Sequence, residues 1–406
     1  MPEPLKIGIL RETKIPPDKR VPLTPAQIIT LGKIYPWCEF IVQPSPFRCF
    51  SDNEYQSLGI PIAEDLQNCN ILLGVKEIDT HTVIPDKTYM FFAHVGKKQS
   101  QNRDMFRNLS RNHISLIDYE YLKTENGERV VAFGRYAGIV GAYNALRASG
   151  IKSKTFDLKP AHQHHDLANL WDGLRRIDLT QKIKILVTGK GRVANGTLET
   201  LSICNIRQVS PDEYLNRDFN EPVVCQIGPE SYVRHRNGQV FNFPHFVSHP
   251  GEYESTFLPF TKVTDVLIAG HYWDPRSPVF FTTEDMKNPG FRISVIADIS
   301  CDINGPVPST IRPATISDPF YDYDPQTGSE ELPFSRPSNI TVMSVDNLPG
   351  ELPRDASLDF GKHLMNHALH DLFSGKESRV ITRATILKNG SLSPAFEYLF
   401  DYLGDV

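Results

Sequence analysis

The chain has 406 residues, of which 40% are apolar and 22% are charged, and its formal net charge is −5. This composition is typical of an ordinary soluble globular protein, and the length allows two domains, each with its own core. The negative charge gives no general attraction to nucleic acid or to an anionic membrane. The apolar runs are only as long as strands, so none of them predicts a membrane span.

The six cysteines are scattered and have no C-x-x-C spacing. The N-terminal residues lack the basic region and the long apolar segment of a signal peptide, so the cysteines are interpreted as buried thiols in a reducing cytoplasm. The histidine cluster AHQHH at 161–165 has no carboxylate or cysteine at ligand spacing, and a solvated loop is the favoured interpretation. We therefore predict a cytoplasmic protein with no bound metal.

Residues 1–133 alternate between strand and helix patterns, which predicts an α/β domain with a parallel sheet. Two of its buried strands, at 70–75 and 88–93, are followed by Lys76 and His94. In open α/β sheets, ligands bind beyond the carboxyl ends of the strands, so this pair is placed to act as acid and base on one ligand. Taken singly, each residue is more often a solvated strand terminus or a loop histidine with its hydrogen bonds satisfied.

Other ionisable side chains also follow predicted strands of this domain. They are Arg11, Lys14, Arg20, Glu77, Lys97, Asp118 and Glu120. The pair Asn126-Gly127 predicts a hairpin turn before a short apolar run that contains Arg129. Glycines 134, 138 and 141 then have the spacing of a helix that packs closely against another element.

A second domain begins with a predicted strand at 182–187 that enters a glycine-rich turn and a helix. Gly189, Gly191 and Ala194 fit the G-x-G-x-x-G/A pattern, in which backbone N–H groups approach a pyrophosphate at the positive end of the helix. The next strand, at 206–209, ends at Ser210, where a ribose-binding acid is expected. A serine at this position favours the 2′-phosphorylated cofactor NADP, or a site that does not distinguish NAD from NADP.

The remainder of the chain is assigned mainly to this second domain. Residues 220–259 are polar and rich in aromatic side chains, and they are interpreted as a long insertion or covering segment. Buried strands at 265–269 and 293–297 extend the second sheet, while 309–338 is interpreted as a loop. A final strand precedes Asp346, and a helix is predicted at 355–371.

Seven segments carry a resemblance to a known family. They are ILRETKIPPDKRVPLTP, ILLGVKE, MFFAHVGKKQ, IDYEYL, GERVVAFGRYAGIVG, ADIS and SVDNLPGELPRDAS. In this order they resemble the lysine-forming saccharopine dehydrogenases, and more closely the lysine–2-oxoglutarate reductase domain of bifunctional lysine-degrading enzymes. Both belong to the wider alanine dehydrogenase and transhydrogenase group.

The resemblance implies two Rossmann-like α/β domains with parallel sheets and an active site in the cleft between them. The first domain would be discontinuous, at 1–133 plus 346–406, and the dinucleotide-binding domain would span 134–345 with an insertion near 220–260. Lys76 and His94 match the family's acid–base pair. Arg20 and Arg129 match arginines that hold substrate carboxylates, and Glu120 matches an acidic residue of the site.

The resemblance further implies an NAD(P)-dependent oxidoreductase that interconverts saccharopine with L-lysine and 2-oxoglutarate. Its partners would be an amino acid and a 2-oxo acid, with neither nucleic acid nor membrane, in a monomer or a dimer. The predicted cofactor-binding residues are Gly189, Gly191, Arg192, Val193, Ala194, Ser210, Asp298 and Asp346. NAD and NADP remain alternatives. The competing functions are an alanine dehydrogenase-type amino-acid oxidoreductase and a non-catalytic nucleotide-binding sensor.

Overall fold

A computed structural model describes residues 3–179, 182–376 and 378–404 of the chain. The chain divides into two compact units, Met1–Ala132 with Pro353–Val406, and Phe133–Leu352. All six cysteines are free. Among the described residues, no helix is both long enough and apolar enough to cross a membrane.

The first unit begins with alternating strands and helices. The strands are β1 (Leu5–Ile9), β2 (Cys38–Val42), β3 (Ile71–Leu73), β4 (Thr88–Phe91) and β5 (Ser115–Asp118), and the helices are α1 (Pro25–Ile34), α2 (Asp52–Gln56) and α3 (Arg103–Arg111). Helix α1 shows how local sequence sets these bounds, because Thr24 and Gln27 form a capping box and Pro25 occupies the first helical position.

The second unit contains ten strands and eight helices among the described residues. They are α4 (Gly134–Ser153), α5 (Leu167–Leu174), β6 (Lys184–Thr188), α6 (Arg192–Ile203), β7 (Arg207–Gln208), α7 (Pro211–Asn216), β8 (Val223–Ile227), α8 (Pro229–Tyr232), β9 (Val233–His235), α9 (Phe243–Ser248), β10 (Tyr253–Ser255), α10 (Leu258–Thr261), β11 (Val266–Ala269), α11 (Thr283–Met286), β12 (Val295–Asp298), β13 (Phe320–Tyr323), β14 (Glu330–Glu331) and β15 (Ile340–Met343).

The C-terminal segment returns to the first unit. Its elements are α12 (Pro353–Leu364), which continues through a π-helical turn at Met365–Leu369 into α13 (His370–Ser374), then α14 (Arg379–Ala384), β16 (Thr385–Lys388), β17 (Ser391–Leu392) and α15 (Phe400–Leu403). The sheet of this unit has the order β17-β16-β5-β4-β3-β1-β2. Strands β1 to β5 are parallel, and β16 joins β5 in the antiparallel sense. The carboxyl ends of β1, β3, β4 and β5 therefore meet at one edge.

The sheet of the second unit has the order β14-β13-β15-β12-β11-β6-β8-β7. Two interpretations of the sequence are wrong here. Part of the segment at 220–259 is not a covering segment, because β8 is an inner strand that pairs with β6 over five residues. The segment at 309–338 is not only a loop, because β13 pairs with β15 and extends the sheet. The predicted α/β class with two largely parallel sheets is confirmed.

Two helices of the second unit approach each other closely at glycines. A Cβ atom on Gly138 of α4 would lie 1.9 Å from the Val193 carbonyl oxygen of α6, and one on Gly196 of α6 would lie 2.1 Å from the Arg135 carbonyl oxygen. Only glycine allows backbones to come this near. The close packing predicted from the glycine spacing is therefore present, and it fixes the helix that follows the glycine-rich turn.

Candidate active site and dinucleotide turn

Lys76 stands just beyond β3, on a turn that is held by a carboxylate from the loop after β1. The Glu12 side chain accepts the backbone N–H groups of Val75 at 2.7 Å and Lys76 at 2.8 Å. Burial raises the pKa of Glu12 to about 8, although these two hydrogen bonds favour its ionised form. Glu12 was absent from the sequence prediction. The only sequence signal was its position directly after a predicted strand, next to Arg11.

The Lys76 ammonium lies in a largely desolvated environment that contains charges of both signs. Burial lowers the pKa of Lys76, and the charge of Arg20 lowers it further, while Asp18 acts in the opposite direction. A lysine with a lowered pKa is more often neutral near physiological pH. The side chain is therefore suited to accept and return a proton.

Arg20 forms a buried ion pair with Asp18. Both side chains are only 3% exposed, and the Arg20 Nε and Nη2 atoms lie 2.9 and 2.5 Å from the two Asp18 oxygens. Burial opposes ionisation of the acid, but the charge and hydrogen bonds of Arg20 lower the pKa of Asp18 to about 2. The charge of Arg20 acts on the Lys76 ammonium, and the Arg20 side chain itself is buried in its ion pair with Asp18.

His94 stands beyond β4 and is oriented by Glu77, the residue that follows Lys76. His94 Nδ1 donates to Glu77 Oε1 at 2.6 Å, and Lys14 Nζ lies 3.3 Å from Glu77 Oε2. Burial raises the pKa of Glu77, but the hydrogen bond and charge of His94, a backbone hydrogen bond and the charge of Lys14 together lower it to about 2. The carboxylate thus stays ionised and fixes the ring, which leaves Nε2 as the atom that exchanges a proton.

The backbone at His94 is held in an uncommon conformation. His94 has a φ of 51°, in the left-handed region that favours glycine. The Asp118 carboxylate, at the end of β5, accepts the N–H of Ala93 at 3.2 Å and that of Glu120 at 2.8 Å. Burial raises the pKa of Asp118 to about 7. This side chain joins the end of β4 to the end of β5. Strained backbone persists only where the surroundings over-determine it, and these hydrogen bonds help to hold the backbone next to His94.

A cavity of about 340 Å³ opens beside Glu77 within the first unit. It is lined by Thr13, Lys14, Glu77, Ile78, Asp79, Gln101 and Asn102. Its lining therefore includes Glu77, whose carboxylate contacts His94, together with a lysine and two amide residues. A cavity with a few converging polar groups is the usual form of a small-molecule site.

Three further basic side chains that the sequence singled out have other local environments. Arg129 is paired with Glu120, and both side chains remain partly exposed. Arg11 is paired with Glu64, at 3.0 Å from Arg11 Nη1 to Glu64 Oε2. Lys97 is exposed to solvent. The structure thus brings Lys14, Glu77 and His94 into direct contact, and it places the arginines in separate ion pairs.

The glycine-rich turn of the second unit has the form that a dinucleotide requires. Gly189 has a φ of 96°, and a Cβ there would lie 2.8 Å from the Gly270 carbonyl oxygen. A Cβ on Gly191 would meet nothing within 4 Å, so this glycine faces open space at the start of α6. Helix α6 begins without a side-chain cap, and Ala194 is fully buried. An uncapped helix N-terminus behind an open glycine fits a pyrophosphate.

Three other predicted cofactor residues have different local environments. The Ser210 hydroxyl caps α7, where it accepts the N–H of Glu213 at 3.3 Å. Asp298 is fully buried and accepts hydrogen bonds from Ser300 and Thr310, each at 2.6 Å between side-chain oxygens. Asp346 is exposed after β15. Ser210 and Asp298 thus already have local structural roles.

Comparisons with known proteins agree with this architecture. Residues 8–140 match the family described as alanine dehydrogenase/PNT, N-terminal domain. The chain is 26% identical over 404 residues to the NAD(+), L-lysine-forming saccharopine dehydrogenase of Emericella nidulans, with 95% of this chain and 96% of that protein covered. The chain is thus similar in sequence to this dehydrogenase over nearly its whole length. The resemblance found in the sequence is thereby confirmed.

Two further matches define the wider relationship. The alpha-aminoadipic semialdehyde synthase of Arabidopsis thaliana is 27% identical over 438 residues, which cover 97% of this chain but 41% of that protein. The chain thus spans less than half the length of this relative. The structure of an L-alanine dehydrogenase superposes with a TM-score of 0.60 over 98% of this chain and 100% of that one, at 16% identity, and shows a shared fold.

The second unit also brings together two histidines and a glutamate from the segment at 220–259. His235, His245 and Glu252 place one ligand atom each within 4.8 Å of one another. However, the His235 Nδ1 atom accepts the backbone N–H of Asn237 at 3.1 Å, so a neutral ring carries its proton on Nε2, 3.2 Å from Glu252 Oε2. Local hydrogen bonds therefore account for this cluster.

Proposed function

We propose that the protein is an NAD(P)-dependent oxidoreductase that interconverts saccharopine with L-lysine and 2-oxoglutarate. The observation that carries the proposal is the placement of Lys76 and His94 after two adjacent parallel strands, with Glu77 joining the two turns through its hydrogen bond to His94. The saccharopine dehydrogenase relatives support the same reaction. When bound, the nicotinamide dinucleotide would exchange a hydride with the imine carbon of the substrate.

The protein's own residues would manage the protons of this reaction. Condensation of lysine with a keto acid needs a neutral amine, then loss of water from a carbinolamine. Lys76, with its lowered pKa, is the group that we assign to proton transfer at the reacting nitrogen. His94, oriented through Nδ1 by an ionised Glu77, would exchange a proton at the carbinolamine oxygen through Nε2.

Saccharopine carries three carboxylates, which call for cationic or hydrogen-bonding partners. Lys14 lines the cavity beside Glu77 and is the best-placed cation for one of them. Arg129, Lys97 and Arg11 are further candidates, and for Arg129 a substrate carboxylate would compete with its partner Glu120. We assign Arg20 a different part, in which its buried charge lowers the pKa of Lys76 instead of binding substrate.

The test is an activity screen on the purified protein. Lysine and 2-oxoglutarate with NADH or NADPH should deplete the reduced nicotinamide, and saccharopine with the oxidised cofactors should regenerate it. Pyruvate with ammonia forms the second arm, because turnover there alone would favour an alanine dehydrogenase-type enzyme. Cofactor binding without turnover in either arm would favour a non-catalytic sensor and overturn the proposal.

Substitution of the two central residues tests their roles directly. We expect Lys76→Met and His94→Gln each to lower kcat at least ~100-fold, the scale of a lost acid–base catalyst, while the dissociation constant of the cofactor stays unchanged. Glu39→Gln, at an exposed position on β2, is the matched control and should retain full activity. Near-normal rates in both central variants would remove the pair from the mechanism.

A further inference from the structure

The loop that follows His94 has little apolar anchoring of its own. Val95 is fully buried, but the side chains at 97–101 are all exposed. Lys98 has a φ of 55°, in the same left-handed region as His94. Inside the loop, the Asn102 side-chain amide donates to the His94 carbonyl oxygen at 3.3 Å. A loop with so few buried contacts is held mainly by other parts of the chain or moves freely.

Two tyrosines of the C-terminal segment hold this loop, from the stretch where a 3₁₀ turn leads into α15. The Tyr398 hydroxyl donates to the Gly96 carbonyl oxygen at 3.2 Å, and the Tyr402 hydroxyl donates to the Gln99 carbonyl oxygen. These bonds join residues that are 302 and 303 positions apart in the chain. Lys97 lies between the two held carbonyls, so the backbone is fixed on both sides of it.

The segment that supplies these hydroxyls is itself seated firmly on α3. Arg103 Nε donates to the Tyr402 carbonyl oxygen at 2.8 Å, and Arg107 Nε donates to the Leu403 carbonyl oxygen at 2.7 Å. The Tyr402 ring stacks on Phe106, with 5.9 Å between the ring centroids, and is only 7% exposed. The Tyr402 hydroxyl is therefore presented to the loop by a ring whose own position is fixed.

The contact at Gly96 leaves no space for a side chain. A Cβ atom there would lie 1.6 Å from Tyr121 Oη, and the Tyr121 ring packs edge-on against Phe396 with centroids 4.9 Å apart. Tyr121 Oη also lies 3.5 Å from Tyr398 Oη. Because Tyr121 directly follows Glu120, the loop after β4 and the turn after β5 meet at the same tyrosine, Tyr398.

We propose that Tyr398 and Tyr402 are positioning residues, whose hydroxyls fix the loop that carries His94 and Lys97 in the geometry needed for turnover. This inference rests on the proposed function, in which His94 exchanges a proton and Lys97 is a candidate partner of a substrate carboxylate. Both hydroxyls donate to backbone carbonyls, so the tyrosines act through the position of the loop. Rates depend steeply on the placement of reacting groups, and a loosened loop therefore lowers turnover.

The experiment measures kcat and KM for saccharopine in Tyr398→Phe, Tyr402→Phe and the double variant, which keep the rings and lose only the hydroxyls. Each single change should lower kcat/KM about 3- to 10-fold, the range of one net hydrogen bond, and the double change at least ~10-fold. Tyr398→Phe should lower kcat, because Gly96 is two residues from His94. Tyr402→Phe should mainly raise KM, because Gln99 is two residues from Lys97 and farther from His94.

Hydrogen exchange followed by mass spectrometry measures the loop itself and needs no substrate. The amide of Lys98 donates to the Val95 carbonyl oxygen at 2.9 Å, and its protection reports the order of the loop. Both tyrosine changes should speed exchange in a peptide that spans 96–101 and leave β4 and α3 unchanged. The urea-unfolding midpoint and the dissociation constant of the cofactor should stay at wild-type values, which separates positioning from a general loss of structure.

Glu397→Gln is the matched control, since its exposed side chain stands next to Tyr398 on the same segment, and it should keep wild-type kinetics and exchange. A double variant with kcat/KM within twofold of wild type would overturn the inference and leave the proposed function standing. Slower turnover without faster exchange in the loop, or together with a lowered unfolding midpoint, would also overturn it. Failure of the wild-type chain to turn over saccharopine would overturn the proposed function and the positioning role with it.

Discussion

His94 Nδ1 lies 2.6 Å from Glu77 Oε1, and this contact joins the turns that follow two neighbouring strands. Because Glu77 is the residue after Lys76, one turn supplies both the proposed base and the carboxylate that orients the proposed acid. The positions of Lys76 and His94 are therefore coupled by backbone as well as by charge. A change at Glu77 should disturb the chemistry without touching either proton-transfer group.

We expect Glu77→Gln to lower kcat about 100-fold, because the amide keeps the size of the side chain but loses the charge that fixes the histidine ring. Steady-state kinetics with saccharopine and the cofactor measure this effect. Glu77→Asp, which keeps the charge on a shorter side chain, should recover part of the rate. Equal activity of Glu77→Gln and wild type would show that the contact has no catalytic consequence.

The buried Arg20–Asp18 pair should be important for stability. We expect Asp18→Asn to destabilise the fold by about 3 to 5 kcal/mol, because it removes the carboxylate that forms a buried ion pair with the Arg20 guanidinium. Urea unfolding at neutral pH measures the loss. Asp172→Asn is the matched control, since Asp172 pairs with Arg175 at the surface and both side chains are more than half exposed. Its loss should cost less than about 1 kcal/mol.

The same pair predicts a dependence on acid. The pKa of Asp18 is about 2 in the folded chain and its ordinary value is 3.8, so the folded chain binds this proton less readily than the unfolded chain. This contribution, about 2 kcal/mol, is present above pH 3.8 and is lost as the pH falls towards 2. The difference in unfolding free energy between wild type and Asp18→Asn should therefore shrink across that window. A constant difference would contradict the proposed linkage.

Local patterns in the sequence predict the strand ends at which the candidate residues stand, but not the contacts of these residues. Apolar runs that end at Lys76 and His94, and a strand that enters Gly189, are signals carried by fewer than ten consecutive residues each. Glu12 contacts the backbone of Val75 and Lys76 across separations of 63 and 64 residues. That contact depends on β1 lying beside β3, which no local pattern gives.

The strand order of the second unit could not be predicted either, because it also depends on pairing between segments that are distant in the sequence. The run VVCQI at 223–227 has the apolar character of a buried strand, but the polar and aromatic residues around it favoured a covering segment. Pairing with β6 makes it an inner strand and moves β7 to the edge. Ser210 then becomes a helix cap, a role that its own sequence context, Ser-Pro-Asp-Glu, already fits.

His271 should make the second unit sensitive to mild acid. It follows β11, its Nδ1 lies 2.8 Å from Thr188 Oγ1, and burial lowers its pKa from 6.5 to about 3. Between these values the unfolded chain holds a proton that the folded chain does not, so stability falls as the pH falls, by about 1.4 kcal/mol per pH unit. In urea unfolding between about pH 6 and pH 4, the free energy of unfolding of the wild-type chain should fall with pH at this rate, and His271→Gln should remove that fall. His165→Gln, at an exposed histidine, should leave the slope unchanged.

Two glycines in helices should respond in opposite directions to the same substitution. Gly138→Ala would place a Cβ 1.9 Å from the Val193 carbonyl oxygen and force α4 away from α6, so we expect a loss of at least ~3 kcal/mol together with weaker dinucleotide binding at the turn before α6. A Cβ on Gly32 of α1 would meet nothing within 4 Å. Gly32→Ala should therefore stabilise the protein by about 0.5 to 1 kcal/mol, because alanine restricts the unfolded chain and favours the helix. Urea unfolding and NADH titration of both variants measure these effects, and an equal response at the two positions would show that the close approach of α4 to α6 does not limit the fold.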